Sequence, residues 1–549
     1  MQTREQSVLR GSVWLMGSAL LAKMLGAVFR IPLTALLGGT GMGYYSCAYG
    51  LFLPVFALSV TGMNTAVAAL TAGAHAKGNR ADAARIAAAS RRMFGLGGAA
   101  GSLLLFLSAD ALCGTLLQNS RAALAVKLFS PAVCICCVNA VLRGLHEGCR
   151  RMTPTAVSQV AEGIGRVIFG LLLCRLVFVF PEPVLRLLPR GTSLTEAAAA
   201  AAIFGVTLST LLGTLTLLCF DTKRRADPVP QYPADPEADR RIRRALLQVL
   251  LPVAAASLVT NLTTLIDLAA GLRVLSAAML RDPLRFGLPA SLSAEAASEA
   301  ANFSYGAYSG LAVTVFNLVP SVTNMLGKGV LPAFAGSYAR GDRAAMRRQA
   351  ETVLRRTAFL AVPAGLSVSA LSEPILRLLF AARGAEITAA AAPLRWLGIA
   401  VLFAAPAYPL FSMLQAAGFA GDTVTVMLCG AGVKLLGNLL LIPRMGLSGA
   451  ALSTLLCYLL ILLLAWRCFT RRTETALPLL RCFLRSGLCG LLCACTARYF
   501  CGALSAAYPD RRFLPVMAAA AAGGSLYLLS FLLTLSPARR KDLRNFEES

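Results

Sequence analysis

The chain has 549 residues, is 57% hydrophobic with a mean hydropathy of +0.68, and carries only 14% charged residues. That balance excludes a soluble globular domain and fits a protein that crosses a membrane many times. The net charge of +26 does not signal nucleic-acid binding, because the bases lie between apolar runs rather than on a soluble surface.

The amino end runs directly into residues 14–37, WLMGSALLAKMLGAVFRIPLTALL. This run is too long for a signal-peptide core and no small-residue cleavage site follows it, so it is expected to be a retained span. Lys23 and Arg30 lie inside it, nearly two helical turns apart on one face, with Gly26 between them. A cation in mid-bilayer costs at least about 2.5–3.5 kcal/mol, so two on one stripe point to a polar, water-filled interior. The plainer alternative is that Arg30 snorkels to the interface and Lys23 finds a carbonyl.

Apolar runs of spanning length recur fourteen times, at residues 12–37, 44–73, 93–117, 122–142, 154–180, 196–220, 246–272, 304–335, 354–380, 390–416, 422–442, 446–468, 478–503 and 512–535. An all-α polytopic fold is expected, and the even number puts both termini on one side. Alternate loops hold most of the 52 Lys and Arg residues: Lys77 to Arg92, Arg143 to Arg151, residues 223–225 and 240–244, 340–356, 467–485 and the tail 539–544. The positive-inside rule therefore places both termini in the cytoplasm.

The fifth span carries Glu162 and Arg166 at i and i+4, an order that favours an intrahelical ion pair. The pair reads equally as a lock between halves or as a self-neutralised structural element. The polar, Pro-broken segment 221–244 is a linker with six spans before it and eight after. The seventh span aligns Ser257, Asn261, Thr264 and Asp267 on one face, and the eighth aligns Asn317, Ser321, Asn324 and Lys328. Such stripes serve as interhelical glue or line a polar chamber. The ionisable Asp267 and Lys328 favour the chamber, although Lys328 lies near the cytoplasmic end, where it could snorkel. Lys434 and Asn438 form a weaker polar face on the eleventh span.

The halves repeat. GMGYYSCAYGLFLPVF and AKGNRADAAR recur as YGAYSGLAVTVFNLVP and ARGDRAAMRR about 263 residues later. Six intervening spans return the chain to the same side, which defines a parallel repeat with a binding site expected between the halves near the midplane. The division expected is 1–220 for the first six-helix bundle, 221–244 for a basic cytoplasmic linker, 245–470 for the second bundle and 471–549 for two extra helices and a cytoplasmic tail.

The 16 cysteines lie mostly inside apolar runs, and the two histidines, His75 and His146, are expected in loops. No metal site, cofactor or catalytic constellation is expected. The GKG at 327–329 lacks the glycine spacing and hydroxyl of a phosphate-binding loop.

The stretches AKMLGAVFRIPLTALLG (22–38), GMGYYSCAYGLFLP (41–54), LRGLHEGCRRMTPTAVSQVAEGIGRV (142–167), TTLIDLAAGLRVL (263–275), VPAGLSVSALSEPILRLLF (362–380) and LFSMLQAAGFAGDT (410–423) resemble the stage V sporulation protein B group of polysaccharide-biosynthesis membrane proteins. These are relatives of MurJ-type lipid II flippases in the multidrug/oligosaccharidyl-lipid/polysaccharide exporter superfamily. The resemblance implies two pseudo-symmetric six-helix bundles plus two extra helices. It also implies a transporter, not an enzyme, for an anionic polyprenyl-pyrophosphate-linked wall or polysaccharide precursor in the bacterial cytoplasmic membrane. Partners would be that lipid-linked saccharide, membrane lipids and a coupling ion such as Na+ or H+, with no nucleic acid and a monomeric state. By the same resemblance Lys23 and Arg30 would hold the pyrophosphate, Asp267 would balance charge or take part in coupling, and the two extra helices would guide the lipid tail. Where MurJ-type proteins carry a further Arg in the second span, this chain offers only Tyr45, Tyr49 and Asn64. The alternatives are a cation or drug antiporter of the multidrug and toxin extrusion type, and a non-transporting scaffold of wall synthesis.

Overall fold

The structure is a computed structural model that describes residues 2–57, 62–222, 236–381, 383–508, 511 and 513–534. Most of the expected linker, residues 223–235, and the basic tail from 535 onward lie outside the described residues. Among the described residues every regular element is a helix: α1 (Gln2–Phe56), α2 (Gly62–Ala76), α3 (Arg80–Ala111), α4 (Ala123–Gly148), α5 (Met152–Val179), α6 (Pro181–Leu187), α7 (Leu194–Thr222), α8 (Pro236–Ala269), α9 (Leu275–Arg281), α10 (Ala294–Ala307), α11 (Val313–Ala339), α12 (Arg343–Ala370), α13 (Ser372–Leu379), α14 (Gly384–Ala416), α15 (Ala420–Met445), α16 (Leu447–Thr473), α17 (Leu479–Ala507) and α18 (Phe513–Leu533), with short π and 3-10 turns between some of them. Twelve helices among the described residues are long and apolar enough to span a bilayer, or up to fourteen when two bent pairs each count as one span. The all-helical polytopic expectation holds.

The bends have local causes. α1 carries the first span and the start of the second without a loop, and the chain turns only at Gly38, whose φ of 66° and ψ of −173° suit a residue without Cβ. The fifth span ends at Phe180 and swings through 102° into α6, where Pro181 occupies the first helical turn. The ninth turns through 85° between α12 and α13. In the seventh and eighth spans an extra residue widens one turn into a π segment, Ala270–Val274 and Tyr308–Ala312.

The repeated motif folds twice into the same turn. Gly78 and Gly341 both take a left-handed conformation, with φ of 70° and 68°. The next residue caps the following helix in each case: Asn79 accepts from the Asp82 amide at 3.0 Å, and Asp342 from the Ala345 amide at 2.8 Å.

By contacts the chain divides into two compact units, Met1–Gly310 and Leu311–Ser549. The first gathers α1 to α10: α5 packs against α1 and α7, α8 against α1, α2 and α3, and α10 against α1. The packing boundary thus falls inside the π turn of the eighth span rather than at the linker where the sequence repeat begins again. In the second unit α14 packs against α11, α12 and α16, and α17 lies against both α12 and α18. The buried core is rich in Ala, Leu and Val, with small residues at the closest helix approaches, as expected where helices meet in an apolar solvent.

Candidate functional site

Several polar groups of the first unit lie along α1, α4, α5 and the seventh and eighth spans. One of them is Glu162 on α5. Arg166, one turn on, donates to Glu162 Oε1 at 3.0 Å, and Arg143 of α4 donates to Oε2 at 3.0 Å. Arg143 also reaches the Ser158 hydroxyl at 3.0 Å. The expected i,i+4 pair is therefore a triad in which one carboxylate bridges two guanidinium groups. Arg143 was expected among the loop cations, because the apolar run ends at residue 142. The helix instead continues to Gly148, and this extra turn directs Arg143 inward.

A cavity of about 210 Å³ opens beside the triad, lined by Ala22, Arg143, Gln159, Glu162, Gly163 and Arg166. The Nε atoms of Arg143 and Arg166 are buried and have no hydrogen-bond partner among the described residues. Gly163 and Gly170 bring α1 against α5: a Cβ at Gly163 would touch Leu25, and one at Gly170 would press into the Phe29 ring. Ser18 of α1 donates to Gln159 of α5 at 3.2 Å, closing the same seam.

Tyr45 is buried, stacks on Tyr49 with ring centroids 6.0 Å apart, and lies within electrostatic reach of both Arg30 and Arg166. Arg30 is half-buried and donates to the Ser309 carbonyl at 3.5 Å, the long limit for such a bond. That carbonyl belongs to the π turn of the eighth span, whose altered ladder frees backbone groups. Tyr305, buried, feels both Arg30 and Asp267. The structure thus brings Arg30, Tyr45, Tyr49, Glu162, Arg166 and Asp267 together, and adds Arg143, Gln159 and Tyr305, which the sequence reading missed.

Other expected residues sit elsewhere. Lys23 lies in α1, but its side chain falls outside the described residues. Asn261 turns its amide back to the Ser257 carbonyl at 2.8 Å, and Thr264 is exposed. Asn64 donates to Glu147 at 3.2 Å, a carboxylate within electrostatic reach of Arg143. Asn317, Ser321, Asn324 and Lys328 line one face of α11 in the second unit, where Asn317 and Lys328 are exposed and the other two half-buried. Residues 327–329 are mid-helix rather than a loop. Lys434 and Asn438 are buried against α16, where Lys434 donates to Thr454 at 2.8 Å and Ser453 donates to Asn438. Among the described residues no three His, Cys, Asp or Glu side chains are grouped so that they could hold a metal ion.

Closer to the start of the second and eighth spans, α1 and α10 cross on small residues. The Ser46 and Ser309 hydroxyls meet at 2.8 Å, and Asn302 donates to the Thr40 carbonyl at 3.0 Å. A Cβ on Gly306 would collide with the Gly39 carbonyl oxygen and the Gly43 nitrogen, and one on Gly43 with the Asn302 side chain.

Twelve or more helices among the described residues, long and apolar enough to cross a bilayer, define the class as a multi-pass membrane protein. The fold agrees with solved structures. A lipid II flippase MurJ in an inward closed conformation superposes with a TM-score of 0.63 at 13% identity, over 94% of this chain and 98% of that one. An inward-facing multidrug resistance MATE family transporter of the MOP superfamily gives 0.63 at 12% identity, over 82% and 94%. The family model described as "Lipid II flippase MurJ" matches residues 98–517, and the chain belongs to that family. It is also similar to stage V sporulation protein B of Bacillus subtilis, at 25% identity over 469 residues, covering 84% of this chain and 83% of the relative.

Proposed function

We propose that the protein moves a polyprenyl-pyrophosphate-linked saccharide, a precursor of the lipid II kind, across the bacterial cytoplasmic membrane. The observation that carries this reading is the cavity beside Arg143, Glu162 and Arg166, where two guanidinium groups face one carboxylate. One positive charge is left over. A guanidinium fork matches phosphate oxygens in pairs, and its attraction for them grows as water is excluded. Arg30, linked through Tyr45, extends the cationic path along α1, and Lys23 belongs to the same stretch.

Both termini face the cytoplasm by the distribution of Lys and Arg in the loops. Two six-span halves, joined by residues 221–244 and followed by the added segment 471–549, rock to open the site to one side and then the other. Asn261, Thr264, Asn317, Ser321, Asn324 and Lys328 line the path, and Asp267 balances Arg30 or couples transport to Na+ or H+. A monomer suffices for this scheme. The cation-exporter reading is weaker, because Asp267 shares Tyr305 with Arg30 and Glu162 is already bridged by two arginines.

The test is translocation of fluorescent lipid II in proteoliposomes. Replacing Arg143 and Arg166 together by Gln is expected to lower the rate at least tenfold while the protein remains folded in the membrane. The Lys23→Ala/Arg30→Ala pair is expected to behave alike. Wild-type rates in both double variants would reject the proposal.

A further inference from the structure

A second cavity, of about 510 Å³, lies apart from the arginine triad, where the π turn at Leu112–Leu116 and the turn before α4 meet Tyr44 of α1, α9 and α10. Arg121 organises it. Its guanidinium binds Glu299 at 2.8 Å and Glu295 at 3.0 Å, and lies 3.6 Å from Glu196 at the start of α7. These groups come from the connections after the third, fifth and seventh spans, which share one end of the bundle. By loop charge this is the extracytoplasmic end.

We propose that this cavity binds a saccharide. A sugar hydroxyl donates once and accepts twice, so a sugar needs fixed acceptors and fixed donors on the same wall. The Glu295 and Glu299 carboxylates supply acceptors already steadied by Arg121, whose guanidinium supplies donors, and Gln118 and Ser276 add an amide and a hydroxyl to the wall. Tyr44 provides an independent sign of a ligand. It is 1% exposed and lines the cavity, and although its oxygen lies close to the Arg121 guanidinium, which can only donate, its own proton meets no acceptor among the described residues. That hydroxyl sits within electrostatic reach of Arg121, Glu196 and Glu299. A buried donor left without a partner costs stability unless a guest satisfies it. The wall is also held in shape. Gln118 adopts a left-handed φ of 52°, and its carbonyl accepts from Ser298 at 2.5 Å. The volume falls in the range of about 300–1,000 Å³ that holds small organic ligands, which suits a mono- or disaccharide.

The saccharide could be free in solution or be the glycan of a lipid-linked precursor. Only the second source rests on the flippase reading. The experiment uses the full chain in lipid nanodiscs. Probes are N,N′-diacetylchitobiose, undecaprenyl-pyrophosphoryl-N-acetylglucosamine, spermidine and inorganic pyrophosphate, each followed by saturation-transfer NMR or calorimetry. Saturable chitobiose binding, weakened about three- to tenfold by Tyr44→Phe and by Glu299→Gln, supports the site with a free ligand. No chitobiose binding, but the same sensitivity with the lipid-linked sugar, supports it with the lipid-linked source. Pyrophosphate binding, which reports the Arg143/Arg166 cavity, is expected to be unchanged in both variants. Its loss from wild type alone would count against the phosphate reading and leave the saccharide site standing. Failure of both saccharides, equal binding in wild type and Tyr44→Phe, or Glu299-dependent binding of spermidine alone would overturn the proposal.

Discussion

Ser46 and Ser309 stand 263 residues apart in sequence and share a buried hydrogen bond at 2.8 Å. The repeat displaces its two copies by the same interval, so each serine meets its own counterpart. The neighbouring contacts obey the same relation: Gly39 touches Gly306, and Gly43 touches Asn302. Reciprocity of this kind is what a two-fold axis imposes on a contact between equivalent surfaces. These contacts are thus reciprocal under the 263-residue repeat.

Gly306→Ala is expected to force this crossing apart, because its Cβ would strike the backbone of α1 rather than a side chain able to move. The cost is about 1–3 kcal/mol. Cys47, buried next to the crossing and accepting a hydrogen bond from the Asn119 amide at 3.3 Å, reports the change. Peptide-level mass spectrometry after maleimide treatment should show faster Cys47 modification in the variant, and equal rates would count against the assignment.

Gly38→Ala should destabilise the bend between the first two spans by about 1–3 kcal/mol, since φ of 66° with ψ of −173° is a glycine conformation. The melting temperature in detergent reads this directly. An unchanged value would mean that the bend is not held in this form.

Glu162→Gln removes the carboxylate that both arginines share. Stability should fall by about 1–3 kcal/mol, while affinity for inorganic pyrophosphate rises because the two guanidinium groups lose the carboxylate that bridges them. Weaker pyrophosphate binding in a folded variant would remove the cavity beside the triad from the anion path.

Lys434→Met should change stability by no more than about 1 kcal/mol, because the desolvation cost of the buried ammonium offsets most of what its bond to Thr454 contributes. Thr454 keeps its bond to the Ala450 carbonyl. A clear loss in thermal denaturation would show that the lysine does more than join α15 to α16.

The repeat was legible almost to the residue, since the turns at Gly78–Asn79 and Gly341–Asp342 demand a left-handed glycine followed by a capping side chain wherever they occur. Arg30, Glu162 and Asp267 were legible because charge inside an apolar run stands out. Arg143 was not, as it lies at the edge of its run and hydropathy cannot say whether a helix goes on for another turn. Tyr305 looked like ordinary core. Lys434 and Asn438 shared a face, but spacing along a helix does not reveal that the face meets α16. The bends at Phe180 and Leu371 and the packing boundary at Gly310 escaped for a related reason: apolar length reports neither direction nor neighbours.

The crossing at Ser46 and Ser309 is built from residues with almost no side chain, so separating it exposes little oily surface. At about 25 cal/mol per Å², such a seam gains little from the hydrophobic effect. It holds through close backbone fit and a few hydrogen bonds, which water or a ligand hydroxyl can replace one for one. If the proposed rocking opens this crossing, little free energy separates its closed and open forms, so it can part and re-form without trapping either one.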